Sequence, residues 1–471
     1  MPPSPVDTRC RPSVAVVGGG ITGLVAALTL TKSSAPAVEV SLFEAANRFG
    51  GKIHTRDFEG RSVDAGPDAF IARVPEGREL ACELGLEDEL VSPADRRAYL
   101  WTRGKLRPLP AGLVLGVPSR LLPMMTSGSL SLPGRLRLAL EPLVPARRSA
   151  DNDQSVASLV ARRLGWATAL RLADPVVGGI HAGDTKTLSS AATAPMLHEA
   201  NRRPGRLIRN LRAEADTGPT SGPVFWGLRT GMSTLVSAVV QRVEAAGGHL
   251  HIGTAVGSMK RTGTRWDLAL DGEIRSFDAV VLATPAPVSA MLLSDVAPSA
   301  AALLGGIPHA SVALLTMSYP AAAVGLDLSG SGFLVPRPEG RLITACTWMS
   351  SKWPHAARPG HVLVRASVGR HGDARALAMD EADLVEKSHR ELASAMSISG
   401  PPGGVEVSRW DNAFPQYEVG HLGRVAEIEG VVAQLSGVEL AGAALRGIGI
   451  PACIAQGRQA AIRALSRLRA G

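Results

Sequence analysis

The sequence predicts a mixed α/β protein: a Rossmann-like dinucleotide-binding domain assembled from discontinuous segments, plus an α+β substrate domain and a mostly helical subdomain. Three observations carry this. The chain opens with a strand, a glycine turn, a helix and a second strand; a fully apolar strand recurs near residue 280; and a strand, glycine loop and long helix close it.

The first strand, Ser13 to Val17, is continuously apolar, as a parallel strand buried on both faces should be. After Gly18, apolar residues recur at helical spacing from Ile21 through Leu24, Ala27, Leu28 and Leu30, and a second strand from Val38 to Phe43 ends at Glu44. Glu76 to Leu84 reads as a helix ending near Gly85. Leu109 to Arg148, rich in Pro, Leu, Met and Arg, reads as helical material packed on its neighbours, with contact to lipid the less favoured alternative. Met232 to Ala246 is an amphipathic helix, His249 to Ile252 a strand, and Arg265 to Leu270 with Ile274 to Phe277 a hairpin about Asp271-Gly272. Asp278 to Pro285 is a buried strand ending in a turn. From Val288 to Gln416 strands and helices alternate, and the last unit runs from Val438 through Gly442 to a helix from Ile450 to Arg469. This divides the chain into a dinucleotide-binding domain of residues 12–95, 206–286 and 421–471, a helical subdomain with substrate contact at 96–205, and a substrate-binding α+β domain at 287–420.

Composition is that of a globular protein, with 45% hydrophobic and 20% charged residues over 471 positions. Apolar runs such as Ala279 to Pro287 and Leu303 to Met317 are broken well before the roughly 20 residues of a bilayer crossing. The start of the chain, with Asp7, Arg9 and Arg11, lacks the apolar core and cleavage site of a signal peptide, so a cytoplasmic location is expected. Cys10, Cys82, Cys346 and Cys453 have neither metal-ligand spacing nor a disulfide pattern, and no metal is expected. The net charge is +8, and all but seven of the 50 basic residues are Arg. Guanidinium pairs bidentately with carboxylate, so this balance would suit a polyanionic small substrate, although a genomic base-composition bias explains the same count and is the favoured reading. With 4% aromatic residues and no basic run interleaved with them, nucleic-acid binding is not expected.

Gly18-Gly19-Gly20-Ile21-Thr22-Gly23 is a G-x-G-x-x-G fingerprint lying directly between strand and helix. Its glycines allow a tight turn, close approach of backbone to a pyrophosphate, and close packing of helix on sheet. Glu44, 21 residues after Gly23, ends the second strand where a carboxylate can accept hydrogen bonds from ribose hydroxyls. Together these establish a dinucleotide site without choosing the dinucleotide.

Two further motifs make that choice. Arg48-Phe49-Gly50-Gly51 resembles the R-x-G-G motif of the flavin amine oxidase superfamily, in which the arginine and paired glycines approach the cofactor pyrophosphate. Ala441-Gly442 with Gly447-Ile-Gly449-Ile450-Pro451 is similar to that superfamily's C-terminal flavin motif, where a helix N-terminus favours anionic reduced flavin. Over nearly its whole length the chain resembles the FAD-containing porphyrinogen oxidases, the group that oxidises coproporphyrinogen III or protoporphyrinogen IX in haem biosynthesis. The stretches that carry this are Asp64 to Phe70, Arg103 to Pro110, Gly178 to Asp184, Arg409-Trp410, Pro415-Gln416-Tyr417, Gly420-His421, and Gly447 to Cys453.

The resemblance implies FAD contacts from Gly18, Gly19, Gly20, Ile21, Thr22, Gly23, Glu44, Ala45, Arg48, Gly50, Gly51, Gly66, Pro67, Asp68, Val256, Gly442, Gly447, Gly449 and Ile450. It implies substrate contacts from the Gly179 carbonyl to pyrrole N–H groups, from Arg97 and secondarily Arg73 to propionates, and from Gly332 and Phe333 as an apolar wall. The segment departs from the family pattern at Gly178, in place of Ser, and at His181, in place of Tyr; His181 is read as filling the tyrosine's volume ahead of donating to a propionate. The implied reaction is six-electron oxidation of a porphyrinogen, in three cycles of hydride transfer to the flavin and reoxidation by O2 to H2O2. No catalytic side-chain base is assigned, since the pyrrole protons can leave by tautomerism. Coproporphyrinogen III is favoured over protoporphyrinogen IX, because Ser351-Lys-Trp-Pro354 and the closing Gly-Ile-Gly-Ile-Pro-Ala-Cys resemble the bacterial coproporphyrin branch and four propionates suit a basic pocket. Product hand-over to a haem-pathway enzyme such as ferrochelatase is a possible partnership. Another flavin oxidase, such as an amine oxidase or carotenoid desaturase, and a non-catalytic porphyrin-binding flavoprotein remain as alternatives.

Overall fold

A computed structural model describes residues 11–34, 37–144, 153–217 and 222–470. Asp7, Arg9, Cys10 and the 145–148 end of the Leu109 to Arg148 segment lie outside the described residues.

A five-stranded sheet, parallel throughout, forms the centre of the dinucleotide fold, in the order His249–Ile252, Glu39–Glu44, Ser13–Val17, Ala279–Leu282, Val438–Leu440. Its strands come from the beginning, middle and end of the chain, so the expected assembly from separate segments is realised in one sheet. The apolar runs explain the arrangement: Val14 and Val16 face one buried cluster, Ala15 and Val17 the other, as a strand covered on both faces requires. On one face pack the helices Ile21–Thr31, Ser233–Ala245 and Ile450–Ala470. On the other lie the antiparallel sheet of Val256–Thr262, Arg265–Leu270 and Glu273–Phe277, with its turn at Asp271-Gly272, and the helices Ala286–Leu293, Pro298–Gly305 and His421–Val432.

A seven-stranded mixed sheet stands beside this core, in the order Gly404–Pro415, His309–Pro320, His361–Val368, Ile343–Trp348, Gly332–Leu334, Tyr99–Thr102, Lys105–Pro108. Five of the six neighbouring strand pairs are antiparallel, and Gly332–Leu334 meets Tyr99–Thr102 in parallel. The 96–205 segment thus gives its first hairpin to this sheet and most of the remainder to a helical layer with its own core, including Leu130, Leu138, Leu159, Val160, Leu172 and Leu197. Within that layer Ala169–Gly178 is a π-helix containing Pro175. Proline has no N–H to donate and crowds the preceding turn, which favours the wider helical turn there.

Candidate active site

The first strand leaves its sheet at Gly18, where φ is +106°, and the Ile21–Thr31 helix begins after Gly20. Gly23 is demanded by packing, since a Cβ there would lie 1.9 Å from the Gly18 carbonyl oxygen. Gly20 is different. Its φ is −70°, open to any residue, and a Cβ built on it meets no heavy atom within 4 Å. Neither backbone geometry nor protein packing requires glycine at this point; what its missing side chain preserves is open space before a helix N-terminus. No acidic residue stands in the first turn of that helix, so its positive end is not neutralised by its own side chains.

The neighbouring groups close around the same opening. The Glu44 carboxylate accepts from the Gly19 amide at 2.6 Å and the Ala46 amide at 2.8 Å, while Ala45 is exposed beside it. The Gly50 amide donates to the Gly19 carbonyl at 2.8 Å, and a Cβ on Gly51 would come 3.3 Å from the Gly20 Cα, so the two glycine loops lie against each other. Arg48 ties its loop together by donating to the carbonyls of Gly51 at 2.7 Å and of Phe49 and Ile53 at 3.2 Å. Val256 is buried in the core, two residues after Thr254, whose amide donates to the Glu44 carbonyl at 2.9 Å.

At the C-terminal motif, Gly442 and Gly447 hold φ of +134° and +130°. The Tyr417 hydroxyl donates to the Ala443 carbonyl at 2.5 Å and accepts from the Gly447 amide at 2.8 Å, bridging the loop. The His421 ring stacks on Tyr417 with centroids 3.9 Å apart, and its Nε2 donates to the Leu445 carbonyl at 2.9 Å. A Cβ on Gly457 would lie 2.3 Å from the Thr22 carbonyl oxygen, so the closing helix, of which Ile450 is the first residue, sits directly on the first one. Gly449 precedes that helix and has only Pro451 nearby.

Between these ends lies the Asp64–Asp68 loop, bound by a group not anticipated from sequence. Arg365, on the His361–Val368 strand and only 8% exposed, donates to the carbonyls of Asp64 at 2.7 Å and Gly66 at 3.1 Å, and reaches Asp68 at 3.3 Å. Lys352 and the Trp353 indole N–H also reach Asp68, at 2.8 and 2.9 Å. Burial opposes the Asp68 charge, but these cations and donors outweigh it and hold the carboxyl well below the usual range. Asp64 is pushed up to about 6 by burial, against the Thr55 hydroxyl and Met232 amide that it accepts from. Sequence offers one clue to Arg365, a lone cation inside the apolar run His-Val-Leu-Val-Arg-Ala-Ser-Val. Pro67 lies between Gly66 and Asp68, and a Cβ on Gly66 would strike the Lys52 carbonyl at 2.1 Å. The open space before Gly20, the facing glycine loops and the acid at the second strand's end fit a dinucleotide.

The residues read as substrate contacts divide. Gly179 lines a hollow between the 169–181 helical stretch and the seven-stranded sheet, and space for a Cβ on it is bounded only by Leu334 at 3.9 Å. Phe414 lines the same hollow and packs, as does Trp410, against Ala182, Ala310 and Val312, and the Trp410 indole N–H donates to the Ala65 carbonyl at 2.7 Å. The hollow therefore adjoins the Asp64–Asp68 loop. Gly332 begins an interior strand of the same sheet, between Ile343–Trp348 and Tyr99–Thr102, but the Phe333 ring is buried on the sheet's far side against Trp101 and Trp348, at centroid distances of 6.0 and 6.4 Å. The Arg97 guanidinium is 63% exposed and paired with Asp95. Arg73 is exposed and contacts the sulfur of Met196 at 2.9 Å. The structure brings neither arginine side chain into the hollow with Gly179.

His181 is buried, its ring 6.1 Å from that of Tyr417, and burial lowers its pKa to about 4. It is neutral at physiological pH, a state suited to filling space. In the unfolded chain an imidazole titrates near 6.5. Between these values the unfolded chain binds a proton that the folded protein refuses, so stability present above pH 6.5 drains away as pH falls toward 4. A His181→Phe variant should lose about 2 kcal/mol less stability than the wild type between pH 7.5 and pH 5. Urea unfolding at both pH values measures this; equal losses would show that His181 contributes nothing to acid sensitivity.

Among the described residues no group of three or more His, Cys, Asp or Glu could hold a metal ion, and no helix is long and apolar enough to cross a membrane.

Comparison with known proteins places these features in a lineage. The family model for flavin containing amine oxidoreductases matches residues 21–465. The chain is 34% identical over 466 residues to the coproporphyrinogen III oxidase of Bacillus subtilis (strain 168), spanning 97% of this chain and 98% of that protein. It is 29% identical to the protoporphyrinogen oxidase of Bos taurus, spanning 96% and 98%. A crystal structure from Exiguobacterium sp. 255-15 superposes with a TM-score of 0.86 at 30% identity, covering 97% of this chain and 99% of that one.

Proposed function

This chain belongs to the flavin-containing amine oxidoreductase family, and within it we propose that it oxidises coproporphyrinogen III to coproporphyrin III with O2 as electron acceptor. It is an FAD-dependent oxidoreductase. The observation that carries the substrate assignment is the likeness to the Bacillus subtilis coproporphyrinogen III oxidase along 97% of the chain. The geometry supports it through the hollow at Gly179, which adjoins the Asp64–Asp68 loop of the dinucleotide side.

Bound FAD supplies a two-electron acceptor that O2 can reoxidise, so three cycles remove the six electrons separating porphyrinogen from porphyrin. The residues of the chain place and shield. Gly18 to Gly23 and the facing Gly50-Gly51 would receive the pyrophosphate, Glu44 the ribose hydroxyls, Gly66, Pro67 and Asp68 a more interior part of the cofactor, and Gly442 to Ile450 the flavin end. Tyr417 and His421 hold that last loop in shape. Gly179 would accept from pyrrole N–H groups through its carbonyl. No side chain is required to act as a base.

The Bos taurus relative supports protoporphyrinogen IX as the second reading. Steady-state oxidation of both porphyrinogens by the FAD-loaded protein, followed by porphyrin fluorescence and peroxide release, decides between them. Coproporphyrinogen III is expected to give the higher kcat/KM, with three peroxides per porphyrin. Absence of turnover with either would overturn the assignment. Delivery of the product to a metal-inserting enzyme of the same pathway is part of this proposal.

A further inference from the structure

We propose that Arg370 is a carboxylate-binding residue, and that the hollow at Gly179 admits one carboxyl arm of the substrate to it. The proposal rests on the function proposed above for the identity of the acid. Arg370 lies just beyond the His361–Val368 strand and lines the hollow together with Asp174, Gly179, Val312 and Thr344. Its side chain is nine-tenths buried, and its buried Nε has no hydrogen-bond partner among the described residues. The nearest carboxylate, Asp373, stands 3.9 Å from its Nε, beyond hydrogen-bond reach.

The other charged groups facing the hollow are engaged. Asp373 is held by Arg375, with contacts of 2.8 Å from Nε and 2.7 Å from Nη2. Asp174 accepts from the Thr185 hydroxyl at 2.7 Å and its amide at 3.3 Å, with Arg337 3.7 Å away. Arg337 donates to the Gly183 carbonyl at 3.0 Å and approaches Asp184. Arg370 is therefore a largely desolvated cation whose ion-pair neighbour Asp373 lies at 3.9 Å and is already held by Arg375, a costly arrangement that an incoming carboxylate would relieve by bidentate pairing. Burial and the neighbouring Arg337 and Arg375 charges disfavour its protonated form more than Asp174 and Asp373 favour it. A macrocycle held through its pyrroles at Gly179 has carboxyl arms at its rim, and Arg370 lines the same hollow.

The test compares wild type, Arg370→Gln and Arg370→Lys as FAD-loaded proteins. Each is titrated with coproporphyrin III and with its tetramethyl ester, and KM and kcat are measured for coproporphyrinogen III. The Gln variant should bind the free acid roughly 10- to 100-fold more weakly and show a matching rise in KM with kcat little changed. The Lys variant should recover part of the loss, and ester binding should be equal in all three. Comparing acid with ester inside each variant separates the effect from any general loosening of the fold. Unchanged acid binding in the Gln variant, or equal weakening for acid and ester, overturns the role of Arg370 while leaving the oxidase assignment intact. A wild type without turnover overturns both.

Discussion

Gly20→Ala is expected to fold and to lose FAD. An alanine fits the φ of −70° and finds no protein atom within 4 Å of its methyl group. The cost to the apoprotein is that of a poorer helix N-cap, about 1 kcal/mol. The methyl group occupies the space before the helix N-terminus, and overpacking of this kind costs about 1–3 kcal/mol. FAD affinity should fall roughly a hundredfold, equivalent to about 2.7 kcal/mol. Gly23→Ala is expected to do the opposite, because its Cβ would stand 1.9 Å from a backbone oxygen that belongs to the adjoining turn. That clash displaces the helix from the sheet and should cost about 3 kcal/mol or more in folding stability. Urea unfolding of the apoproteins and flavin titration by fluorescence distinguish the pair. Native affinity in Gly20→Ala would move the cofactor away from this turn.

Removing Arg365 should produce a large loss of stability. Arg365→Met takes away two hydrogen bonds to the Asp64 and Gly66 carbonyls and one cation from Asp68, leaving that carboxylate with Lys352 and Trp353 alone. Breaking a buried pair from one side typically costs about 3–5 kcal/mol. The loop it holds contains Gly66, Pro67 and Asp68, so FAD binding should weaken as well. Adding Asp68→Asn to Arg365→Met should cost less than the sum of the single changes, because the stranded charge is gone. Urea unfolding of the four proteins gives the coupling. A loss below about 1 kcal/mol for Arg365→Met would show that Lys352 suffices.

Arg365 also marks the boundary of what sequence can disclose. The dinucleotide turn was legible because each of its requirements is local: strand, glycines and helix follow one another within about 20 residues, and Glu44 ends the next strand. The observed helices Ile21–Thr31, Ser233–Ala245 and Ile450–Ala470 begin and end within a residue or so of the periodicity that predicted them. The pairing of Lys352, Trp353 and Arg365 with Asp68 joins residues almost 300 positions apart, and nothing in their spacing announces it. Arg97 shows the converse. A motif match cannot reveal that Asp95, two residues earlier, holds the guanidinium at the surface. Phe333 and Leu334 are adjacent on one strand, so their side chains must face opposite ways; apolar composition alone did not say that Leu334, and not Phe333, would be the one near Gly179.

The parallel sheet has a consequence for how the protein is made. Ser13–Val17 lies between Glu39–Glu44 and Ala279–Leu282, and the latter strand is paired in turn with Val438–Leu440. During synthesis the first two strands emerge together, but both edges of the pair wait for more than two hundred further residues, one for His249–Ile252 and the other for Ala279–Leu282. At about 5–20 residues per second that interval lasts on the order of tens of seconds. Throughout it, the nascent chain presents an unpaired apolar strand edge, the surface most prone to joining another chain. Translation rate and chaperone supply should therefore govern yield, and an in vivo slowdown placed ahead of residue 279 should lengthen the exposure and lower the fraction recovered as native protein.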